Sequence, residues 1–221
     1  MSEYILMGTP FAYHDFSAIS ALLPSIVGGI TWKRQSVAHR FLVVLSAISL
    51  ITDVAGTFSI WWYGNNVSLV NGYLLLQSLI TGLFFINLKE VHVSLHPIRM
   101  AIFWIMCLVS LILLFTGPFV TVINKWQLSA SSFFIIVFSC LYFYNLVRYE
   151  LEIPIWIKAS FYAVMALMLY YVTNMVLFLT IDDLQPESIY ELWNLKLTGY
   201  IVLNIFITVA FLLEYKDSYG R

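Results

Sequence analysis

Residues Phe41 to Trp61 read FLVVLSAISLITDVAGTFSIW, a run in which Asp53 is the single ionisable side chain. A helix needs about 20 apolar residues to cross roughly 30 Å of hydrocarbon. Backbone in lipid must also satisfy its own hydrogen bonds, which a helix does within one segment. The run therefore reads as a transmembrane helix. Six further runs flank it: Phe16–Thr31, Ser68–Leu88, Ile98–Phe119, Leu128–Val147, Ile157–Ile181 and Trp193–Leu213. The first is short and contains Pro24.

The whole chain agrees with that reading. Of 221 residues, 61% are hydrophobic, 17% aromatic and only 10% charged, against about 25% charged in soluble domains. The expected fold is all-α: one polytopic membrane domain of seven helices over residues 1–221. Trp61, Trp62, Trp126, Trp156 and Trp193 stand at run ends, where an aromatic belt belongs. The net charge of −1 excludes a nucleic-acid partner, which requires a basic surface. Met1–Asp15 carries Glu3 and Asp15 but no Lys or Arg, so it does not read as a secretory signal. Cys107 and Cys140 lie inside apolar runs and read as small hydrophobes.

The basic residues set an expected orientation. Lys33, Arg34, Arg40, Lys89, Arg99, Arg148, Lys158, Lys216 and Arg221 fall on one side; Lys125 and Lys196 fall on the other. The richer side is cytoplasmic by the positive-inside rule. That puts the N-terminus outside and the C-terminus inside, in a bacterial inner membrane.

Helices 3 and 7 look like copies at an offset of 127 residues. Asn71-Gly72-Tyr73 matches Thr198-Gly199-Tyr200, Gln77 matches Asn204, Thr81 matches Thr208 and Phe84 matches Phe211. Helices 2 and 6 match more weakly at an offset of 121, with Thr52-Asp53 against Thr173-Asn174. The expectation is a parallel three-plus-one-plus-three repeat: residues 16–88, a linker helix over 98–119, and residues 128–213. Parallel repeats occur in SWEET-type facilitators, with sites between the halves. That parallel concerns architecture, not function.

Polar residues within the runs mark a candidate ligand site. An acid at the depth of Asp53 costs a few kcal/mol on insertion scales, so it faces the bundle interior. Ser46, Ser49, Asp53, Gly56, Thr57 and Ile60 recur on one face of its helix. Asn174 shares its depth, with Tyr170 one turn deeper. Helix 3 adds Tyr73, Gln77 and Thr81; helix 7 adds Lys196, Tyr200, Asn204 and Thr208. The site expected from these is Asp53, Tyr73, Gln77, Tyr170, Asn174, Lys196, Tyr200 and Asn204, forming a polar pocket open to the outer side. Each of these residues alone is equally a helix–helix hydrogen-bonding contact.

Other chemistries find less support. Lys196 lies about one turn inside its run, too shallow for a retinal lysine, and reads as a snorkelling interface residue or an anion contact near Asp53. His14, His39, His92 and His96 all lie near run ends or in connections. His92 and His96, four apart beside Glu90, could share a metal on one short helix, but the local run has no third ligand. The intramembrane His, Asp and Ser of ceramidase-type hydrolases are missing. No cofactor and no catalytic constellation are expected.

At Asp53, Gln77, Asn174 and Trp193–Asn204 the chain resembles a family of small seven-helix bacterial membrane proteins abundant in Bacteroidota. That family carries an acid in helix 2, Tyr-x-x-x-Glu in helix 3, Gly-Asn in helix 6, and Trp-Asn-x-His followed by Leu-Asn in helix 7. The matching residues are Asp53; Tyr73 with Gln77; Thr173-Asn174; Trp193-Asn194-Leu195-Lys196; and Leu203-Asn204. Gln77 stands where the family has an acid and Lys196 where it has a histidine, so proton or metal chemistry does not carry over. Members sit beside sensor kinases, and the resemblance implies signalling. Three roles follow as expectations. One is a sensor with a small outer ligand and a cytoplasmic or membrane protein partner. The others are a small-solute facilitator and a structural subunit whose outward face includes Ser129, Ser131 and Ser132.

Overall fold

The computed structural model describes residues 16, 19–89, 91–116, 123–149, 158–180, 183 and 185–217. His14, Trp156, Asp182, Arg221, the segment before Phe16 and residues 117–119 of the fourth run lie outside the described residues. All regular structure among the described residues is helical. The helices are α1 (Leu22–Thr31), α2 (Val37–Tyr63), α3 (Val67–Ile86), α4 (His96–Thr116), α5 (Lys125–Tyr149), α6 (Ala159–Thr180) and α7 (Pro186–Asp217). Six of them, α2 to α7, are long and apolar enough to cross a membrane. The ten residues of α1 rise only about 15 Å.

The outer surfaces explain why these helices belong in lipid. Ile51, Val54 and Phe58 on α2, Ile105, Leu108 and Ile112 on α4, and Leu169, Val172 and Val176 on α6 all face away from the bundle. This is a membrane-embedded helical bundle. Trp61, Trp62 and Trp126 project at one end, here termed the outer end because the α2–α3 turn lies there. Gly64 makes that turn in the left-handed region (φ 69°), and its N–H returns to the Ile60 carbonyl at 2.9 Å. This is the glycine C-cap that a side chain would strain.

Neighbours form a ring. α1 packs on α2 and α7, α2 on α3, α3 on α5, α5 on α6, and α6 on α7. α4 stands outside the ring, against α3 and α5. Two glycines permit close approaches. A Cβ at Gly28 would lie 2.6 Å from Val43 Cγ2, and one at Gly82 would lie 2.6 Å from both Phe103 Cδ2 and Met106 Cε. Gly28 therefore seats α1 on α2, and Gly82 seats α3 on α4.

Several expectations need correction. α7 begins at Pro186, seven residues before Trp193, so the acidic outer connection is partly helix. Proline suits a first helical turn, where an N–H has no partner to lose. Lys196 consequently lies ten residues into α7, not one turn. His92 and His96 do not share a helix: a 3₁₀ turn over Val93–Leu95 separates them, and α4 starts at His96. His92 Nδ1 instead pairs with Ser94 Oγ at 2.8 Å. Ser129, Ser131 and Ser132 are buried. Ser131 Oγ accepts from Ser78 Oγ at 2.6 Å, joining α5 to α3. Thr57 is exposed and donates to the Asp53 carbonyl, so it leaves the polar face of α2.

Candidate functional site

Ser49 is the hub of the polar interior. It is buried on the inward face of α2. Its hydroxyl pairs with Tyr200 from α7 at 2.5 Å and accepts from Tyr73 of α3 at 3.1 Å. The Tyr170 ring of α6 lies 5.8 Å from the Tyr200 ring. Ser49, Tyr73, Tyr170 and Tyr200 thus make one tier contributed by four helices. A phenol buries a large apolar ring yet needs a partner for its hydroxyl, so the serine between two phenols satisfies both at once.

Helical succession builds a second tier one turn outward. Asp53 stands four residues beyond Ser49, Asn174 four beyond Tyr170, and Lys196 four before Tyr200 on the descending α7. The charge of Asp53 reaches Tyr170, Tyr200 and Lys196. Lys196 sits over aromatic rings, its Nζ 4.3 Å from the centroid of Trp193 and 5.2 Å from that of Phe178. This is cation–π geometry. Asn174 is fully buried beside the Tyr170 hydroxyl. Neither atom of its amide meets a hydrogen-bond partner of good geometry among the described residues.

A third set lies inward of the phenols. Gln77 approaches Tyr170 and Tyr171, and Thr81 approaches Tyr171. Asn204 lies beside Tyr200, and its Nδ2 donates to Ser20 Oγ at 2.9 Å. The eight residues expected from the sequence thus lie near one another across α2, α3, α6 and α7. Below it the interior turns apolar. Leu42, Phe84 and Phe211 are fully buried, with Ile207 almost so.

The inner end holds a feature that the sequence reading missed. His39 is buried, 2% exposed, rather than a solvated helix-end residue. Its Nδ1 lies 2.7 Å from Glu214 Oε2 of α7 and 3.0 Å from Ser36 Oγ. Glu214 Oε1 accepts from the Ser36 backbone N–H at 2.9 Å. Phe84 and Phe211 flank the imidazole edge-on, at 5.9 and 6.4 Å between centroids. Gln35 Nε2 donates to the Phe211 carbonyl at 3.0 Å and to Thr31 Oγ1 at 2.8 Å. A usable signal was Glu214 three residues after Phe211, on the inward stripe of α7. Ser36 and Glu214 both address the same nitrogen, Nδ1, so the trio lacks the nucleophile–base–acid relay of a hydrolase. It joins helix ends.

Arg99 is likewise buried near the inner end of α4. Its Nη1 donates to the carbonyls of Phe85 at 2.7 Å and Leu88 at 3.2 Å. A cation on carbonyls at and just beyond the C-terminus of α3 stabilises that helix end. Comparison with known protein families, curated proteins and solved structures finds no match to this chain.

Proposed function

We propose that this chain is a membrane receptor or regulatory protein that takes a small ligand from the outer side. The observation that carries this reading is the cluster of polar side chains in the outer half, set apart from the His39–Glu214 pair at the inner end. Tyrosines, amides, Asp53 and Lys196 occupy the outer half, and Leu42, Phe84 and Phe211 form an apolar layer between them and the inner His39–Glu214 pair. The fully buried Asn174 amide, beside the Tyr170 hydroxyl but without a hydrogen bond of good geometry, supports a guest there, since buried polar groups are nearly always hydrogen-bonded. α2 and α7 reach both regions. They meet at Ser49–Tyr200 in the outer polar cluster and again at His39–Glu214 inside. A ligand that shifts either helix is thereby coupled to the inner end, where a protein partner would read it. The burial of the α5 serines removes the polar face that a structural-subunit role would have used.

A facilitator remains the second reading, on one specific observation. Repeat-equivalent residues are arranged around α2: Tyr73 and Tyr200 both meet Ser49, and Phe84 and Phe211 both flank His39. The ring of neighbours also maps onto itself when α1–α3 are exchanged with α5–α7. Gln77 and Asn204 depart from that symmetry, because one faces α6 and the other reaches Ser20. Orientation with the basic end in the cytoplasm, and placement in a bacterial inner membrane, belong to the same proposal.

Vesicle swelling separates the two readings. Proteoliposomes containing the chain should swell in glycerol or glycine no faster than protein-free vesicles. Swelling several-fold faster in either solute would replace the receptor with a facilitator.

A further inference from the structure

Four cations meet at the inner corner formed by α1, α2 and α7. The chain leaves α1 through a 3₁₀ turn over Trp32–Arg34 that exposes Lys33 and Arg34. Arg40 of α2 folds back onto that turn. Its Nε donates to the Trp32 carbonyl at 3.3 Å and its Nη2 to the Lys33 carbonyl at 3.5 Å, with the guanidinium 5.7 Å from the Trp32 ring centroid. Arg34 lies over the Tyr215 ring of α7 at 4.9 Å, which brings the turn beside exposed Lys216. Carbonyls and ring faces orient a guanidinium without cancelling its charge. Acids are fewer at this corner. Glu214 is committed to Ser36 and His39, which leaves Asp217 as the exposed carboxylate there among the described residues. Apolar surface continues directly from the cations. Four residues deeper than Arg34, Arg40 and Lys216 stand Ile30, Val44 and Leu212, each about one helical turn further into the bundle and each exposed. Trp32 is exposed between the charges and this apolar surface, and an indole suits the boundary between headgroups and hydrocarbon.

We propose that this corner binds the headgroup of an anionic phospholipid from the surrounding leaflet. The phosphate meets Lys33, Arg40 and Lys216, and the acyl chains lie along Ile30, Val44 and Leu212. Arg40 is held in place by its Nε and Nη2 contacts, while its Nη1 makes no hydrogen bond among the described residues. That nitrogen can donate to a phosphate oxygen, a charge-assisted bond of the strong kind. Clustered Lys and Arg at a helix end draw anionic lipid for the same reason. Charge alone would admit an acidic protein as readily. Continuity with the exposed apolar residues decides for lipid, because a phospholipid carries its phosphate at the head of its acyl chains, in the same order as the surface. A soluble acidic partner complements the charges only. The corner is separate from the outer polar cluster, so the inference does not rest on the receptor reading.

The test titrates the full chain in detergent micelles with dioleoyl phosphatidylglycerol or dioleoyl phosphatidylcholine and counts retained lipid by native mass spectrometry. The acyl chains are identical, so the difference reads the headgroup. Phosphatidylglycerol should be retained at least about fivefold more strongly, the factor that one cation contributes at an anionic surface. Lys33→Gln/Lys216→Gln, at two exposed positions, should bring the two lipids to near-equal retention. The two single substitutions should each remove part of the preference, and they serve as the readout should the pair not fold. Lys89→Gln/Lys125→Gln removes the same charge elsewhere and should keep the preference. Equal retention by the unaltered chain overturns the inference, and capture of polyglutamate in that case replaces the lipid with an acidic protein. A preference that survives Lys33→Gln/Lys216→Gln, or that the Lys89→Gln/Lys125→Gln chain loses equally, overturns the site. Displacement of phosphatidylglycerol by millimolar inorganic phosphate overturns the lipid in favour of a free anion.

Discussion

At the scale of single residues, the hydroxyl of Ser49 does more than its chemistry announces. Several serines in these helices return their proton to their own backbone, as Ser46 does to the Leu42 carbonyl at 2.9 Å. Ser49 instead serves two phenols from other helices. Ser49→Ala leaves both without that partner and should cost about 1–3 kcal/mol; Tyr73→Phe should cost less, because Ser49 keeps Tyr200. Denaturation of the variants in detergent or bicelles orders them, and an undisturbed Ser49→Ala protein would remove the hub. The inner pair makes a second case. His39→Leu strands Glu214 in a mostly buried site, so it should cost about 3–5 kcal/mol, whereas His39→Leu with Glu214→Met should recover much of that. If the double variant is as unstable as the single one, the helix ends depend on packing rather than on the ion pair. Asp53 was legible in the sequence because a carboxylate among apolar residues is costly anywhere but the interior. The roles of Ser49 and His39 were not. Each depends on partners far along the chain, 151 residues away for Tyr200 and 175 for Glu214, and nothing local to a serine or a helix-end histidine encodes such a partner.

Among the elements, glycines separate packing from mere presence. Gly82→Ala forces a methyl group against Phe103 and Met106 where α3 meets α4, and Gly28→Ala forces one against Val43 and Phe211 where α1 meets α2 and α7. Overpacking of this kind costs about 1–3 kcal/mol. A Cβ at Gly72, by contrast, meets nothing within 4 Å. Gly72→Ala on the same helix as Gly82 should be neutral, or stabilising by up to about 1 kcal/mol, because alanine is the better helix former. Melting curves of the three variants suffice, and a Gly72→Ala loss as large as that of Gly82→Ala would refute the packing argument. Helix existence was readable from hydrophobic run length, and α2 to α6 lie close to their expected positions. Ends were less readable where composition misleads. Glu187 and Glu191 suggest a connection, but they sit on the first two turns of α7, where negative charge is favourable. Orientation about the helix axis was also hidden on α5. With polar and apolar residues on every side, Ser129, Ser131 and Ser132 gave no sign that they turn inward until α3 supplied Ser78.

For the whole molecule, the ring of α1, α2, α3, α5, α6 and α7 with α4 outside has a consequence for topology. Short connections between helices that each cross the membrane must alternate between its faces. From Asn66, after α2, to Asp217, at the end of α7, the chain crosses five times, so these positions lie on opposite faces. From Ser36, before α2, to Asp217 it crosses six times, so they share a face. That agrees with Ser36 and Glu214 being bonded to one another. The proposed orientation follows the positive-inside rule and puts the shared face in the cytoplasm, since Lys33, Arg34, Arg40, Arg148 and Lys216 lie there. Single cysteines at Asn66, Ser36 and Asp217, in a Cys107→Ser/Cys140→Ser background, should give a clear pattern with an impermeant thiol reagent. The reagent should label position 66 in intact cells, and positions 36 and 217 only after lysis. Labelling of all three from one side would mean that one helix among α3 to α7 does not cross. Labelling in the reverse sense would keep the fold but invert it, and the polar cluster around Asp53 and Tyr200 would then lie toward the cytoplasm. The short α1 needs its own reporter: an epitope ahead of Phe16 should be accessible in intact cells if α1 completes a seventh crossing, and only after lysis if it does not.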